Sequence, residues 1–168
     1  MASSEQEFLK NIEKHKGIIF KISKMYMDQK DDRDDLFQEI TCQVWKAYPQ
    51  FKGQSEFSTW LYRIALNTAI VFLKNEKRRS FIGREDFSEY KIIQEEFDAE
   101  KEEKLNAMYK AIHQLSPIDK AFIFYYLEDV SGKEIAGQMG ISEGNVRVKM
   151  NRAKNKLKEI LQTMPTHF

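Results

Sequence analysis

Cysteine is almost missing: Cys42 is the only one in 168 residues, so no internal disulfide can form and a reducing cytoplasm fits. Histidine is nearly as scarce, and His15, His113 and His167 are scattered, which argues against a zinc site. No metal site is expected, and no cofactor or catalytic group is assigned. Only three prolines occur, Pro49, Pro117 and Pro165, each placed where a helix would end or begin. No apolar run approaches the length of a membrane span, and no charged-then-apolar signal segment is read, so no membrane insertion is expected. Nor is there a marked excess of one charge, the net value being +1.

That small average hides segregation. Residues 1–80 carry 14 basic and 11 acidic side chains, residues 81–115 carry 5 and 9, and residues 116–168 carry 8 and 6. The window 141–158 alone holds six basic residues against one acidic. The hydrophobic pattern is helical throughout. It predicts helices at about 5–27, 34–48, 58–77, 96–114, 117–128, 132–139 and 143–161, with Asp28 to Asp35 as an acidic turn. The fold class expected is all-α. Two small helical domains, 1–80 and 99–168, are expected on either side of an aperiodic linker at 81–98.

The stretch from Phe51 to Arg79, FKGQSEFSTWLYRIALNTAIVFLKNEKRR, mixes aromatic and cationic side chains behind a short loop. Aromatic faces stack on unpaired bases and cations follow phosphates, so the composition suits single-stranded nucleic acid. At 100° per residue, Leu61, Ile64, Ala65, Thr68 and Phe72 share one arc, the side expected to be buried. Trp60, Arg63, Asn67, Lys74 and Arg78 share another. An amide can read a base edge, cations can hold phosphates, and an indole can stack on a base or simply pack in the core. Lys52, Gly53, Gln54 and Ser55 offer a flexible, hydrogen-bonding loop able to receive an extruded base.

Residues 131–153 read SGKEIAGQMGISEGNVRVKMNRA. Ser131 and Glu134 form a capping box, Gly140 suits a left-handed helix end, and Ser142 can cap a second helix. Val146, Met150, Ala153 and Leu157 give that second helix its apolar stripe. This is a helix-turn-helix pattern, whose second helix would enter a major groove. Arg147, Val148, Asn151 and Arg152 point outward, flanked by Asn145 and Lys149, and they match the side chains that read base edges. Ser142 and Lys133 are candidate phosphate contacts, and Lys154, Lys156 and Lys158 would meet phosphate or water. Asp31, Asp32, Asp34 and Asp35 favour a helix start. A two-metal nuclease could draw on Asp34, Asp35 and Glu39, but no general base accompanies them. The acidic, partly apolar helix better suits docking on a basic partner.

Taken together these segments resemble the sigma factors of bacterial RNA polymerase, specifically the extracytoplasmic-function (ECF) group. DDLFQEITCQVWKAYPQF (34–51) is similar to the segment that binds the polymerase clamp, and the 51–79 string to the segment that melts and reads the −10 element. LSPIDKAFIFYYLEDVSGKEIAGQMGISEGNVRVKMNRAKNKL (115–157) is similar to the domain that reads the −35 element. The resemblance implies core RNA polymerase and promoter DNA as partners, duplex at −35 and single strand at −10. It implies that Asp35, Leu36, Gln38 and Glu39 face the clamp. The loop at Gly53 and Ser55 would hold a flipped base near Asn67. Trp60 and Arg63 would border melted DNA, and Arg147, Lys149 and Arg152 would address the −35 duplex. The linker would occupy the RNA exit region. The group also implies an anti-sigma partner, and the free chain is expected to be monomeric. This sequence departs from common members at Val71 (Asp), Lys74 (Arg), Asn145 (Thr) and Gln54 (acidic). The rival readings are a stand-alone helix-turn-helix transcriptional regulator, which leaves 51–79 unexplained, and a helical adaptor that binds no DNA.

Overall fold

The computed structural model describes residues 4–79 and 99–164. The expected linker, 81–98, lies outside the described residues, as does the side chain of Arg78. Among the described residues the chain is helical: α1 (Ser4–Tyr26), α2 (Lys30–Ala47), a 3-10 turn (Tyr48–Gln50), α3 (Phe57–Arg79), α4 (Ala99–His113), α5 (Pro117–Leu127), α6 (Gly132–Met139) and α7 (Glu143–Thr163). The all-α expectation holds.

Helices α1, α2 and α3 pack pairwise. Leu36, Ile40 and Val44 on α2, and Leu61, Ala65 and Ala69 on α3, are each fully buried. Both sets repeat every four residues, which makes a straight apolar ridge, and the small alanines let the two helices approach closely. Ile19, Ile22, Met25 and Tyr26 close the core from α1. The acidic segment is not a turn: α2 already begins at Lys30, with Asp31 and Asp32 in its first turn. Carboxylates there are stabilised by the exposed N–H groups of the helix start. A Lys30–Asp34 ion pair at 3.7 Å and a hydrogen bond from Arg33 Nε to the Met27 carbonyl, 2.9 Å, tie the start down.

Helix α5 buries Ala121, Phe122, Ile123, Phe124 and Tyr125 in succession. A helix buried nearly all round must sit centrally, and α5 indeed packs on α7 and also touches α1 and α3. Three serines start α5, α6 and α7. Ser116, Ser131 and Ser142 each accept from the backbone N–H three residues on, at 3.1, 3.2 and 3.1 Å. Gly140 ends α6 at φ 69°, the left-handed conformation that a side chain resists.

The two halves meet in one continuous apolar cluster. Polar contacts stitch the seam. Tyr26 donates its phenol proton to the Pro117 carbonyl at 2.7 Å, and His113 donates from Nε2 to the Lys24 carbonyl at 2.7 Å. Gln138 donates to the Thr59 carbonyl at 2.8 Å while accepting from Tyr125 at 2.6 Å, and Lys21 pairs with Glu128.

Candidate nucleic-acid interface

The start of α3 is set by aromatic packing. The Trp60 ring lies 4.9 Å from Phe51, 5.6 Å from Phe57 and 6.3 Å from Tyr48. Phe57 is buried, whereas Phe51, Tyr48 and Trp60 are half-buried. Trp60 is therefore first a packing residue that fixes the helix to the preceding turn, with only part of its ring on the surface. The loop before it, Lys52, Gly53, Gln54 and Ser55, is exposed, and Gly53 takes φ 70°.

Arg63, Asn67 and Lys74 are exposed along one stripe of α3, as the periodicity requires. Val71, 57 % exposed, stands among them. Asn67 occupies a crest between two hollows. One, of about 440 Å³, lies between α2 and α3 and is lined by Gln43, Thr68, Val71, Phe72 and Asn75 as well as Asn67. The other, of about 220 Å³, lies between α3 and the C-terminal half, where Arg63 and Asn67 face Tyr125, Gln138 and Met139. Burial raises the Tyr125 phenol well above its ordinary range, and the Arg63 guanidinium opposes that shift. The C-terminal half thus covers one flank of the stripe.

On α7, Val146 and Ala153 are buried while Arg147, Val148, Lys149, Asn151 and Arg152 are exposed. Asn145, Ser142 and Lys133 are exposed at the same end. Ser142 already caps α7, so its oxygen has a structural task. Two lysines expected to meet phosphate or water are used within the fold. Lys154 lies over the Tyr126 ring at 4.4 Å, and Lys156 pairs with Asp119 at 3.1 Å.

On α2, Asp35 and Gln38 are exposed, and Glu39 is half-buried, accepting from Gln43 Nε2 at 2.9 Å. Leu36 is a correction to the sequence reading. It is 0 % exposed, so it cannot face a partner and instead holds α2 in the core. Sequence reasoning also passed over Gln43, Asn75, Tyr125 and Gln138. Their roles depend on neighbouring helices, and only the row Asn67, Val71, Asn75, spaced by four, could have hinted at one of them.

An all-helical chain closing in a serine-capped, glycine-turned helix pair with a cationic outer face has the build of a DNA-binding protein. Residues 12–79 match the family Sigma-70 region 2, and residues 105–157 match Sigma-70, region 4. The chain is 30% identical over 146 residues to the ECF RNA polymerase sigma-E factor of Haemophilus influenzae, covering 80% of this chain and 77% of that protein. It is 31% identical over 144 residues to the ECF RNA polymerase sigma-E factor of Escherichia coli K12, covering 79% and 75%. The fold is also that of the sigma factor RpoE from Bartonella quintana, solved in complex with the anti-sigma factor NepR. The TM-score is 0.68 at 19% identity, over 95% of this chain and 99% of that one. The protein belongs to the ECF sigma factors of RNA polymerase. It directs promoter-specific transcription initiation, its partners are core RNA polymerase and promoter DNA, and the stand-alone regulator is not favoured. Among the described residues, no helix is long and apolar enough to cross a membrane.

Proposed function

We propose that the labour is divided at the linker, with 1–80 serving polymerase binding and −10 melting and 99–168 serving −35 recognition. The chain acts in the cytoplasm as an initiation factor, without enzymatic chemistry of its own. Asp35, Gln38 and Glu39 form the clamp-facing edge of α2. Lys52, Gly53, Gln54, Ser55, Arg63, Asn67, Lys74 and Arg78 meet the −10 element, with the exposed edge of Trp60 beside them. Lys133, Ser142, Asn145, Arg147, Val148, Lys149, Asn151 and Arg152 meet the −35 duplex. The observation that carries this reading is the separation of two exposed cationic faces, one on α3 and one on α7.

Unstacking a base costs a few kcal/mol, and stacking on an aromatic returns roughly 1–3 kcal/mol per base. Trapping one or two bases can offset nucleation of a bubble but not the whole opening. Polymerase contacts supply the rest, so the free chain melts DNA poorly. The distance matters too. By their labels the centres of the two elements lie about 25 base pairs apart, roughly 85 Å of duplex at 3.4 Å per step. Residues 80–98 can span at most about 65 Å. Reading both elements together would have the two halves part, with the linker and their own breadth sharing that span. An anti-sigma factor, the kind of partner seen with the Bartonella quintana relative, would act by denying that separation. The free chain is a monomer.

Run-off transcription with core polymerase and Asn67→Ala tests the reading. Open-complex formation should slow more than polymerase binding weakens. Equal loss of both removes the −10 role from this face.

A further inference from the structure

The hollow of about 440 Å³ between α2 and α3 has a particular chemistry. Gln43 lines it from α2, and Asn67 and Asn75 from α3, so three amide-bearing residues border one space. Each amide both donates and accepts, which is what the edge of a nucleobase requires. Phe72 and Val71 form an apolar flank beside them, able to cover a base's flat face. The carboxylate in the lining, Glu39, already accepts from Gln43 Nε2 at 2.9 Å, so the amide is oriented before any ligand arrives. Exposed Arg63 and Lys74 lie on the same side of α3 as Asn67. They are positioned for the phosphates of a strand whose base drops over the Asn67 crest.

We propose that this groove is a nucleobase subsite of the melted −10 strand, with Gln43 and Asn75 as residues that determine which base is accepted. The proposal rests on the −10 reading of α3 and extends it to α2. The subsite is separate from the loop at Lys52 to Ser55. Ten residues of helix already divide Phe57 from Asn67 at the near edge of the groove, about 15 Å at 1.5 Å per residue, so the groove receives a different nucleotide of the same strand. Helix α2 then does two things at once, because Glu39, which lines the groove, is also one of the proposed clamp-facing residues. A side chain of the polymerase clamp is the competing occupant. The amides favour a base, since a basic clamp surface would be met better by further carboxylates than by three neutral groups.

Full-length Gln43→Ala and Asn75→Ala proteins, each assembled with core polymerase, should be assayed on promoters whose −10 region is randomised, with transcripts sequenced. Asn75 is exposed, so that variant keeps its fold even if Gln43→Ala loosens α2. The expected result is a roughly tenfold loss of base preference at one position, the value of a good amide–base contact. The position should be the same in both variants, with preferences elsewhere unchanged in each and co-purification with polymerase unchanged in Asn75→Ala. Unaltered preferences at every position in Asn75→Ala overturn the proposal. Lost polymerase association with unaltered preferences overturns it too, and assigns the groove to the clamp. If the unaltered chain initiates nowhere on the library, the −10 reading itself fails and takes the subsite with it. Normal initiation without a variant effect defeats the subsite alone.

Discussion

Neighbouring residues on α2 have opposite fates, and single substitutions separate them. Leu36 is sealed in the core while Asp35 beside it is exposed. Leu36→Ala should cost about 2–5 kcal/mol of stability by leaving a cavity, seen as a lower denaturation midpoint. Asp35→Lys should leave that midpoint nearly unchanged and weaken association with core polymerase in a titration. Equal destabilisation by both would mean that the exposed edge of α2 is structural. On α7, Arg147 is exposed. Arg147→Ala in the polymerase complex should weaken −35 binding by about 1–3 kcal/mol, the worth of one bidentate base contact. An unchanged promoter-binding curve would move the contact elsewhere. Residue types and spacing made Arg147, Asn151 and Arg152 legible in advance, because an amphipathic helix announces its outward face. The resemblance, not the spacing, gives Leu36 a clamp-facing role, and its burial denies it.

At the scale of elements, local chemistry was read well. The caps at Ser131 and Ser142, the glycine turn and the helix-turn-helix span 131–153 follow from contacts within a few residues, which is why they are legible; the Ser116 cap is the structure's addition. Gly140 sits at φ 69° with no heavy atom within 4 Å of the position a Cβ would take. Strain, not crowding, decides its replacement. Gly140→Ala should cost roughly 1–2 kcal/mol, and Gly140→Asn less, as a thermal melt can check. The start of α2 differs from the sequence reading because four aspartates around Arg33 look like a turn until Asp31 and Asp32 are placed over a helix's first N–H groups. Trp60 also changed character. Composition leaves it open to stack on a base or to pack, and Phe51, Phe57 and Tyr48 claim much of the ring.

For the molecule as a whole, the seam between halves is the main addition. The Lys21–Glu128 pair crosses it, and the two partners are only partly exposed. Lys21→Glu should enlarge the free chain's radius of gyration in solution scattering, and Lys21→Glu with Glu128→Lys should restore it. No expansion in the single variant would mean that the seam does not depend on this pair. His113 belongs to the same seam. Burial lowers its pKa below the ordinary 6.5, with Lys120 and Arg33 adding to that, while the Lys24 carbonyl and Asp28 oppose it. The unfolded chain therefore binds the proton more readily than the folded one. Stability should be full above about pH 6.5 and fall as the medium is acidified below it. His113→Gln should flatten that slope, and a slope equal to the unaltered chain's would exclude His113 as its source.

What the sequence by itself determined is everything that repeats within a helix turn or closes within a few residues: the all-α class, the caps, the outward faces of α3 and α7, and the family. These follow from the period of the helix and the chemistry of adjacent groups. Tertiary structure alone decided that Leu36 is core and that Trp60 packs before it can stack. It also decided that Gln43 and Asn75 share a hollow, and that the two halves rest against each other. Each of those outcomes depends on which distant helix stands opposite a side chain, and helical periodicity fixes the direction of a side chain without naming what it meets.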